Sequence, residues 1–382
     1  MGYYVITCDY FEDNPGHKIA HESYKIDYTD KKKVLQLAKD LKINGITCFA
    51  ADPAALTVSY VAEKLGLPAH PYDSIEIISN KDLLRAFLKE NNFNVPKAKG
   101  YSSFKEVNSD IHNFTLPIVI KPVDSSASRG VSKVDSLEQL KEKVEYALSF
   151  SKVKRFIIED YIEKIGYQVE GDVFIVNGKL VFRCFANEHF FPGYMNPVNP
   201  FVPIGDSWPS IFSEEFQDKI HNEIQRLIDL LNLSIGSLNF DIQIDEKGSI
   251  YILDIGTGNG GNMIQKVTNY ATGVDLFKYT IKAALGEECN DLTLVKPNGY
   301  WSSYLINSQK SGIFKGIKID EELMKQNIVE YNLTVNTDDY VQAYIGSNMQ
   351  LGTIILKYNS MDEMLTKMDN MNKLINVLIE EG

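Results

Sequence analysis

The residue types best suited to chemistry fall within one stretch of 19 residues, Gly236-Ser-Leu-Asn-Phe-Asp-Ile-Gln-Ile-Asp-Glu-Lys-Gly-Ser-Ile-Tyr-Ile-Leu-Asp254. Apolar and polar residues alternate on both sides of Glu246-Lys247, the pattern of a β-hairpin. With Glu246-Lys247 as a two-residue turn, Asp245 pairs with Gly248, Asp241 with Ile252 and Asn239 with Asp254. The period of two then puts Asn239, Asp241 and Asp254 on one face, the two carboxylates being diagonal neighbours about 7–8 Å apart. Carboxylate oxygens so placed can hold one or two Mg²⁺ ions that also bind phosphate oxygens. A strand whose polar face meets water has the same pattern, and a three-residue loop with a bulge shifts the register.

Three further segments carry residues of interest. Gly256-Thr-Gly-Asn-Gly-Gly-Asn262 follows Asp254 almost at once, and its four glycines let a ligand approach the main chain closely. Asp124-Ser-Ser-Ala-Ser-Arg-Gly130, with hydroxyls at Ser125, Ser126 and Ser128, suits a flap over phosphates. It follows Lys121, a lysine between an apolar run and a proline, which is either a snorkelling edge residue or an internal cation for an anion. Phe156-Ile-Ile-Glu159-Asp-Tyr-Ile162 and Gly166-Tyr-Gln168-Val-Glu170 read as strands whose backbone can meet a purine edge.

Elements that position these residues are visible in the periodicity. Residues 3–8, 31–41 and 45–49 read as strand, helix, strand; 54–65 and 80–91 read as helices, which argues for a parallel sheet with flanking helices. From residue 95 the pattern turns to strands at 117–122, 153–159, 169–176 and 179–185. Five prolines between Phe191 and Pro209 predict an ordered loop or lid. A long amphipathic helix is expected over 213–232, strands at 300–306, 339–345 and 352–358, and a closing helix at 360–380.

Composition narrows the function classes. The 382 residues are 44% hydrophobic and 24% charged, enough for two or three packed domains, and rule out disorder and coiled coil. A net charge of −12 with scattered lysines argues against a nucleic-acid partner, and no apolar run approaches the roughly 18 residues of a membrane span. A cytoplasmic protein is therefore expected. Cys8, Cys48, Cys184 and Cys289 lack the short spacings of a zinc site and read as reduced core thiols.

In this order the segments resemble the ATP-grasp superfamily, particularly the branch of carbamoyl-phosphate synthetase, biotin carboxylase and the amino-acid ligases. The resemblance implies an α/β and α+β chain: a preATP-grasp parallel-sheet domain at 1–78, an ATP-grasp fold of two α+β subdomains at 79–290, and a small β-containing module at 291–382. Relatives place a strand, turn and helix before the segment matching Gly2-Tyr-Tyr-Val, so the first sheet is expected to lack its first strand, about 20 residues by analogy. The cofactors implied are ATP and Mg²⁺, with Mn²⁺ as a substitute. Lys81 and Lys121 take the places of the phosphate-binding lysines, and Ser125, Ser126 and Ser128 the phosphate loop. Glu159, Asp160 and Ile162 fall at the adenine hinge, Gln168 near the ribose, and Asp241 and Asp254 at the metal-binding acids.

The family's Glu-x-Asn-x-Arg pattern reads here Asp254-Ile-Gly256-Thr-Gly258, so an asparagine and an arginine are missing. Asn259 or Asn239 is the expected replacement oxygen ligand, and Arg129 or Arg183 the replacement cation. The mechanism implied is phosphorylation of a carboxylate by ATP followed by attack of an amine on the acyl-phosphate. The acceptor pocket is expected from residues 191–209, Glu188, His189 and the loop 256–262, with His189 either orienting a carboxylate, acting as a base, or structural. Small-molecule carboxylate and amine substrates are the partners implied, and homodimers are common among such enzymes. Two alternatives accompany this reading: a carboxylating or carbamoyl-phosphate-forming enzyme that uses bicarbonate, and a nucleotide-binding module that has lost catalysis. A dinucleotide-binding oxidoreductase is disfavoured, because no Gly-x-Gly-x-x-Gly lies between a strand and a helix.

Overall fold

The computed structural model describes residues 1–192 and 195–381. A two-stranded parallel sheet opens the chain, Ile6–Asp9 beside Glu22–Lys25, followed by helices Lys31–Leu41, Asp52–Leu65, Tyr72–Ser79 and Lys81–Glu90. Val34, Ala38 and Val61 form its small core. The strand expected at 45–49 is not a strand. Gly45 backs onto the carbonyl of Ala284, and the Phe49 ring stacks on Phe277, so this segment packs against the helix Leu276–Ala284 instead of joining a ladder.

Two antiparallel sheets follow. The smaller has the order Ala98–Tyr101, Phe156–Asp160, Ile118–Pro122, Ser132–Val134, and packs on helices Phe104–Asp110 and Leu140–Phe150. The larger has eight strands in the order Ile250–Gly256, Gly236–Ile244, Gln168–Val176, Lys179–His189, Gly205–Trp208, Tyr300–Ile306, Gly352–Tyr358, Ile328–Leu333. Every neighbouring pair in it is antiparallel. The strands after residue 300 thus continue the sheet that begins at the hairpin.

Strand Gln168–Val176 is buried along its whole length because both faces are covered. Val169, Val173 and Ile175 join the core under helix Glu214–Leu230, which contributes Ile220, Ile224, Leu227 and Ile228. That spacing keeps the four on one helical stripe, each worth roughly 1.5–3 kcal/mol of burial. Gln168, Glu170 and Asp172 alternate onto the opposite face, and this sheet face forms one wall of the site.

Two expectations are corrected. The segment 191–209 is not loop throughout: Gly205–Trp208 is a strand, fitted between Pro203 and Pro209 where no proline N–H is needed in the ladder. Gly193 and Tyr194, in the same segment, lie outside the described residues. The closing helix at 360–380 ends early. Met361–Asp369 and Met371–Leu374 are helical, and Ile375–Glu380 pairs with Gly312–Ile319 in a three-stranded sheet with Tyr340–Val341. The alternation Ile375, Val377, Ile379 is the strand signal that the helical reading overlooked. No helix among the described residues is long and apolar enough to cross a membrane.

Candidate functional site

A cavity of about 250 Å³ opens between the two antiparallel sheets. Lys81 enters it from the first turn of its helix, where Nζ lies 2.6 Å from Asp254 Oδ2 and donates to the Ser125 carbonyl at 3.2 Å. Lys121 enters from the smaller sheet, its Nζ 2.7 Å from Glu159 Oε2. Glu159 sits on the adjacent strand directly across from Val119, so its side chain and that of Lys121 meet on one face. Its other oxygen, Oε1, stands 2.6 Å from Arg85 Nε, an ion pair bent outside hydrogen-bond geometry. Burial alone would raise the Glu159 carboxyl, but Arg85 and Lys121 outweigh it and hold the pKa down at about 2.

Arg85 was not foreseen. It lies four residues after Lys81, on the same face of the helix, and its guanidinium also donates to the carbonyls of Ile252 (3.2 Å) and Leu253 (2.6 Å). One arginine therefore ties the helix to both sheets. The only sequence signal is the i,i+4 spacing from Lys81.

The hairpin register differs from expectation. Ile244 pairs with Ile250 around a longer turn, and a bulge after Asp241 sets Asp241 opposite Asp254 and Asn239 opposite Gly256. The two carboxylates are thus direct cross-strand partners rather than diagonal ones. Burial, then the charge of Asp254, raises the Asp241 carboxyl to about 7. Asp52, at the start of its helix, is raised by burial and again by Asp254, while its Oδ1 accepts from Thr257 N at 3.2 Å. A half-buried carboxylate pair, with Lys81 among three acids, is short of positive charge, which fits a divalent cation at Asp241 and Asp254. Among the described residues no group of three or more His, Cys, Asp or Glu side chains is arranged to hold a metal alone, so the remaining ligands would come from the bound substrate.

The phosphate-loop candidate caps the cavity. Ser125, Ser126 and Ser128 line it. Asp124 anchors the loop base by accepting from Lys152 N and Val153 N at 2.9 and 3.0 Å. Ala127 and Ser128 take left-handed backbone conformations, and the loop is held from outside by Asn199 Nδ2 on Ser128 O and Ser347 N on Ala127 O. Asp160 and Ile162 line the opposite end, although the Asp160 N–H is already used by Lys97 O. Gln168 donates to Glu188 and accepts from Gln243 at 3.0 Å.

Four expected residues are placed elsewhere. Arg183 is on the far face of the large sheet, where it binds Asp218 at 2.6 Å and Gln217 O at 2.9 Å, because odd positions of its strand point at the helix 214–230. His189 faces away likewise, its ring held between Asp369 Oδ1 (3.0 Å) and Ser207 Oγ (2.8 Å); burial lowers its pKa. Asn259 turns from the carboxylate pair and donates to Thr280 Oγ1 at 2.9 Å, while its N–H goes to Phe49 O. Arg129 donates back to Ser126 O at 3.2 Å and packs on Gly346 rather than lining the cavity. None of these four lines the cavity. Gly258 admits no side chain, since a Cβ there would overlap the Phe49 carbonyl. Asn239 does line the cavity, donating to Asp172 Oδ1 at 3.0 Å.

Three more acids complete the lining: Glu188, expected in the acceptor pocket; Asp206, within the expected 191–209 acceptor segment but not singled out; and Glu170, named only as part of its strand. Asp172 sits behind them and accepts from Gly260 N (2.7 Å) in the glycine-rich loop and from Gln265 Nε2 (3.0 Å) in the helix that follows it.

Two antiparallel sheets closing on a cleft, with a helix-borne and a strand-borne lysine inside it, make the chain a two-sheet clasp. Sequence comparison supplies its relatives. Residues 88–273, just under half of the chain, match the family described as D-ala D-ala ligase C-terminus, and in this segment the chain is similar to the ATP-grasp enzymes. It is 24% identical over 271 residues to the carbamoyl phosphate synthase large chain of Thermoanaerobacter sp., covering 70% of this chain and 24% of that one. It is 31% identical over 172 residues to the formate-dependent phosphoribosylglycinamide formyltransferase of Corynebacterium efficiens, covering 43% and 42%. The chain spans between about a quarter and a half of the length of such relatives. Among solved structures, the L-amino acid ligase from Bacillus licheniformis superposes with a TM-score of 0.80 at 20% identity, over 100% of this chain and 93% of that one.

Proposed function

We propose that the protein is an ATP-dependent ligase that joins a carboxylate to an amine through an acyl-phosphate, releasing ADP and phosphate. The observation that carries this reading is the convergence of Lys81, Lys121, Asp241 and Asp254 on one cavity beneath the serine loop. ATP would lie with its phosphates between the two lysines and the loop and its base toward Asp160 and Ile162. Asp241 and Asp254 would hold Mg²⁺, which neutralises charge on the transferring phosphoryl group. A homologous-fold structure, the N5-carboxyaminoimidazole synthetase from Staphylococcus aureus, is complexed with ADP, which supports a nucleotide in this cleft.

The chain's own residues then have simple tasks. On nucleotide binding Lys81 and Lys121 exchange part of their contact with Asp254 and Glu159 for phosphate oxygens, so the cations arrive already oriented. Glu159, fixed by Arg85, keeps Lys121 pointing into the cleft. Ser125, Ser126 and Ser128 close over the phosphates and keep water from the mixed anhydride. The carboxylate substrate attacks the γ-phosphorus and ADP departs; the amine nitrogen then attacks the acyl carbon, and the C–O bond breaks with its electron pair leaving on phosphate.

An ADP-release screen with pooled carboxylates and amines in the presence of Mg²⁺ tests the reading, with Asp254→Ala as control. Release that depends on one acid and one amine and is lost in Asp254→Ala is expected. MgATP binding with no release from any pair would instead favour a silent nucleotide-binding module, and release on bicarbonate alone a carboxylating enzyme.

A further inference from the structure

A second cavity, of about 70 Å³, lies outside the cleft. It sits between the helix Asp52–Leu65, the start of strand Gly236–Ile244 and the helix Leu276–Ala284, and Thr257 and Gly258 of the glycine-rich loop line it. Gly256 and Asn262 of the same loop line the cleft, so one loop borders both cavities. The volume is several times the ~10–15 Å³ that one water needs. No Asp, Glu, Lys or Arg lines it among the described residues, whereas the cleft is crowded with them.

Polar atoms on its wall lack partners. His70, 9% exposed, precedes the helix Tyr72–Ser79, and neither its Nδ1 nor its Nε2 has a hydrogen-bond partner. Thr257 Oγ1 is buried and unpartnered as well. Burial lowers the His70 pKa to about 4, so near neutral pH the ring is uncharged, with one donor nitrogen and one acceptor. Space beside the ring is kept by Gly236, at a φ of +130° that disfavours side chains; a Cβ there would stand 3.3 Å from His70 Nε2. Ile46, Val58, Ile75 and Ile235 supply apolar wall. Buried polar atoms are nearly always satisfied, so this set marks a ligand that brings both a donor and an acceptor. A charged ligand would shed its hydration and find no counter-charge. A hydroxyl carries donor and acceptor on one atom, whereas an amide carries them on two and can serve His70 and Thr257 together.

We propose that this cavity is an effector site for a small neutral amide, a primary carboxamide or a urea, hydrogen-bonded to His70 and the Thr257 hydroxyl, with any carbon chain against Ile46, Val58, Ile75 and Ile235. The site stands apart from the ligase reading, and its effect on the cleft needs only that a nucleotide binds there. Thr257 N already donates to Asp52 Oδ1 at 3.2 Å and Asn259 N to Phe49 O at 2.8 Å, so the loop after Asp254 is strapped to the N-terminal segment on this side. An amide on Thr257 adds a third tie to the loop that borders the cleft. By linkage, a nucleotide that favours the tied loop also tightens the amide.

The test is equilibrium binding to the full chain, followed by NMR, with propionamide, propionate, n-propylamine and 1-propanol as matched probes in the absence and presence of MgADP. Propionamide is expected to bind at least about tenfold more tightly than either charged probe and several-fold more tightly than propanol. His70→Leu should abolish amide binding and Thr257→Val weaken it about tenfold, with the thermal midpoint of His70→Leu kept or raised because two unpaired polar atoms leave the interior. Saturating propionamide should tighten MgADP about fivefold. If His70→Leu unfolds, Thr257→Val and the contrast among the four probes decide. A charged probe or propanol binding as well as propionamide, amide binding unmoved in both variants, displacement of propionamide by MgADP, or no binding of any probe overturns the site. Propionamide binding with MgADP affinity unmoved overturns the coupling to the cleft. A chain that binds propionamide but no MgADP sinks the nucleotide reading and leaves the amide site standing.

Discussion

The two ends of the cleft treat their carboxylates in opposite ways. At one end Glu159 is fully buried yet ionised, because Arg85 and Lys121 each take one of its oxygens. At the other, Glu170, Glu188 and Asp206 are as deeply buried but crowd one another, and their pKa values rise. Burial is nearly equal, so the difference comes from counter-charge alone. An end whose charges are balanced within the chain is preorganised before any ligand arrives, whereas an end left unbalanced gains most from what binds there.

Breaking the balanced end should have the largest effect. Arg85→Met leaves the buried Glu159 carboxylate with Lys121 alone and frees the carbonyls of Ile252 and Leu253, so a loss of about 3–5 kcal/mol of stability is expected in urea unfolding. The same measurement on Glu170→Gln should show no loss, since an unbalanced acid is replaced by a neutral amide. Comparable losses in both would mean that the two ends are not electrostatically distinct. Next in size, Lys121→Ala should lower ADP release roughly a hundredfold, the effect of removing one preorganised charge. Its stability should also fall, because Glu159 then keeps Arg85 alone.

The two lysines and the hairpin acids were far more legible in the sequence than the acids of the unbalanced end. Lys81, Lys121, Asp241 and Asp254 stand where local patterns announce them: a helix start, a strand before a proline, and a hairpin with acids on one face. Asp206 gave no such signal, because its four-residue strand lies among prolines and acquires its meaning from the pairing Ser303↔Asp206, about a hundred residues away along the chain. The hairpin itself was readable but its register was not, since a single bulge after Asp241 changed which residues face each other. Arg183 and His189 failed for a related reason. Each lies on a strand whose alternation was visible, yet which face would meet the cleft depends on where the helix 214–230 and Asp369 pack.

The smallest expected effect is the most specific to the comparison, because the two ends should bend the stability–pH curve in opposite directions. Glu159 is held at about 2, below the 4.5 of an unperturbed glutamate, so its contribution is present above pH 4.5 and is lost as pH falls toward 2. Asp206 is raised from 3.8 to about 8, first by burial and then by Glu188, Asp241 and Asp172, with Glu170 hydrogen-bonded beside it. The folded state therefore holds a proton there that the unfolded chain has released, and stability falls as pH rises from about 4 through 8. Asp206→Asn removes that group, so the variant should gain on the unaltered chain progressively over this window and match its fall below pH 4.5. Thermal melts from pH 3 to 9 on both chains measure the difference. A gain that shrinks as pH rises would place the proton elsewhere and remove the contrast between the two ends.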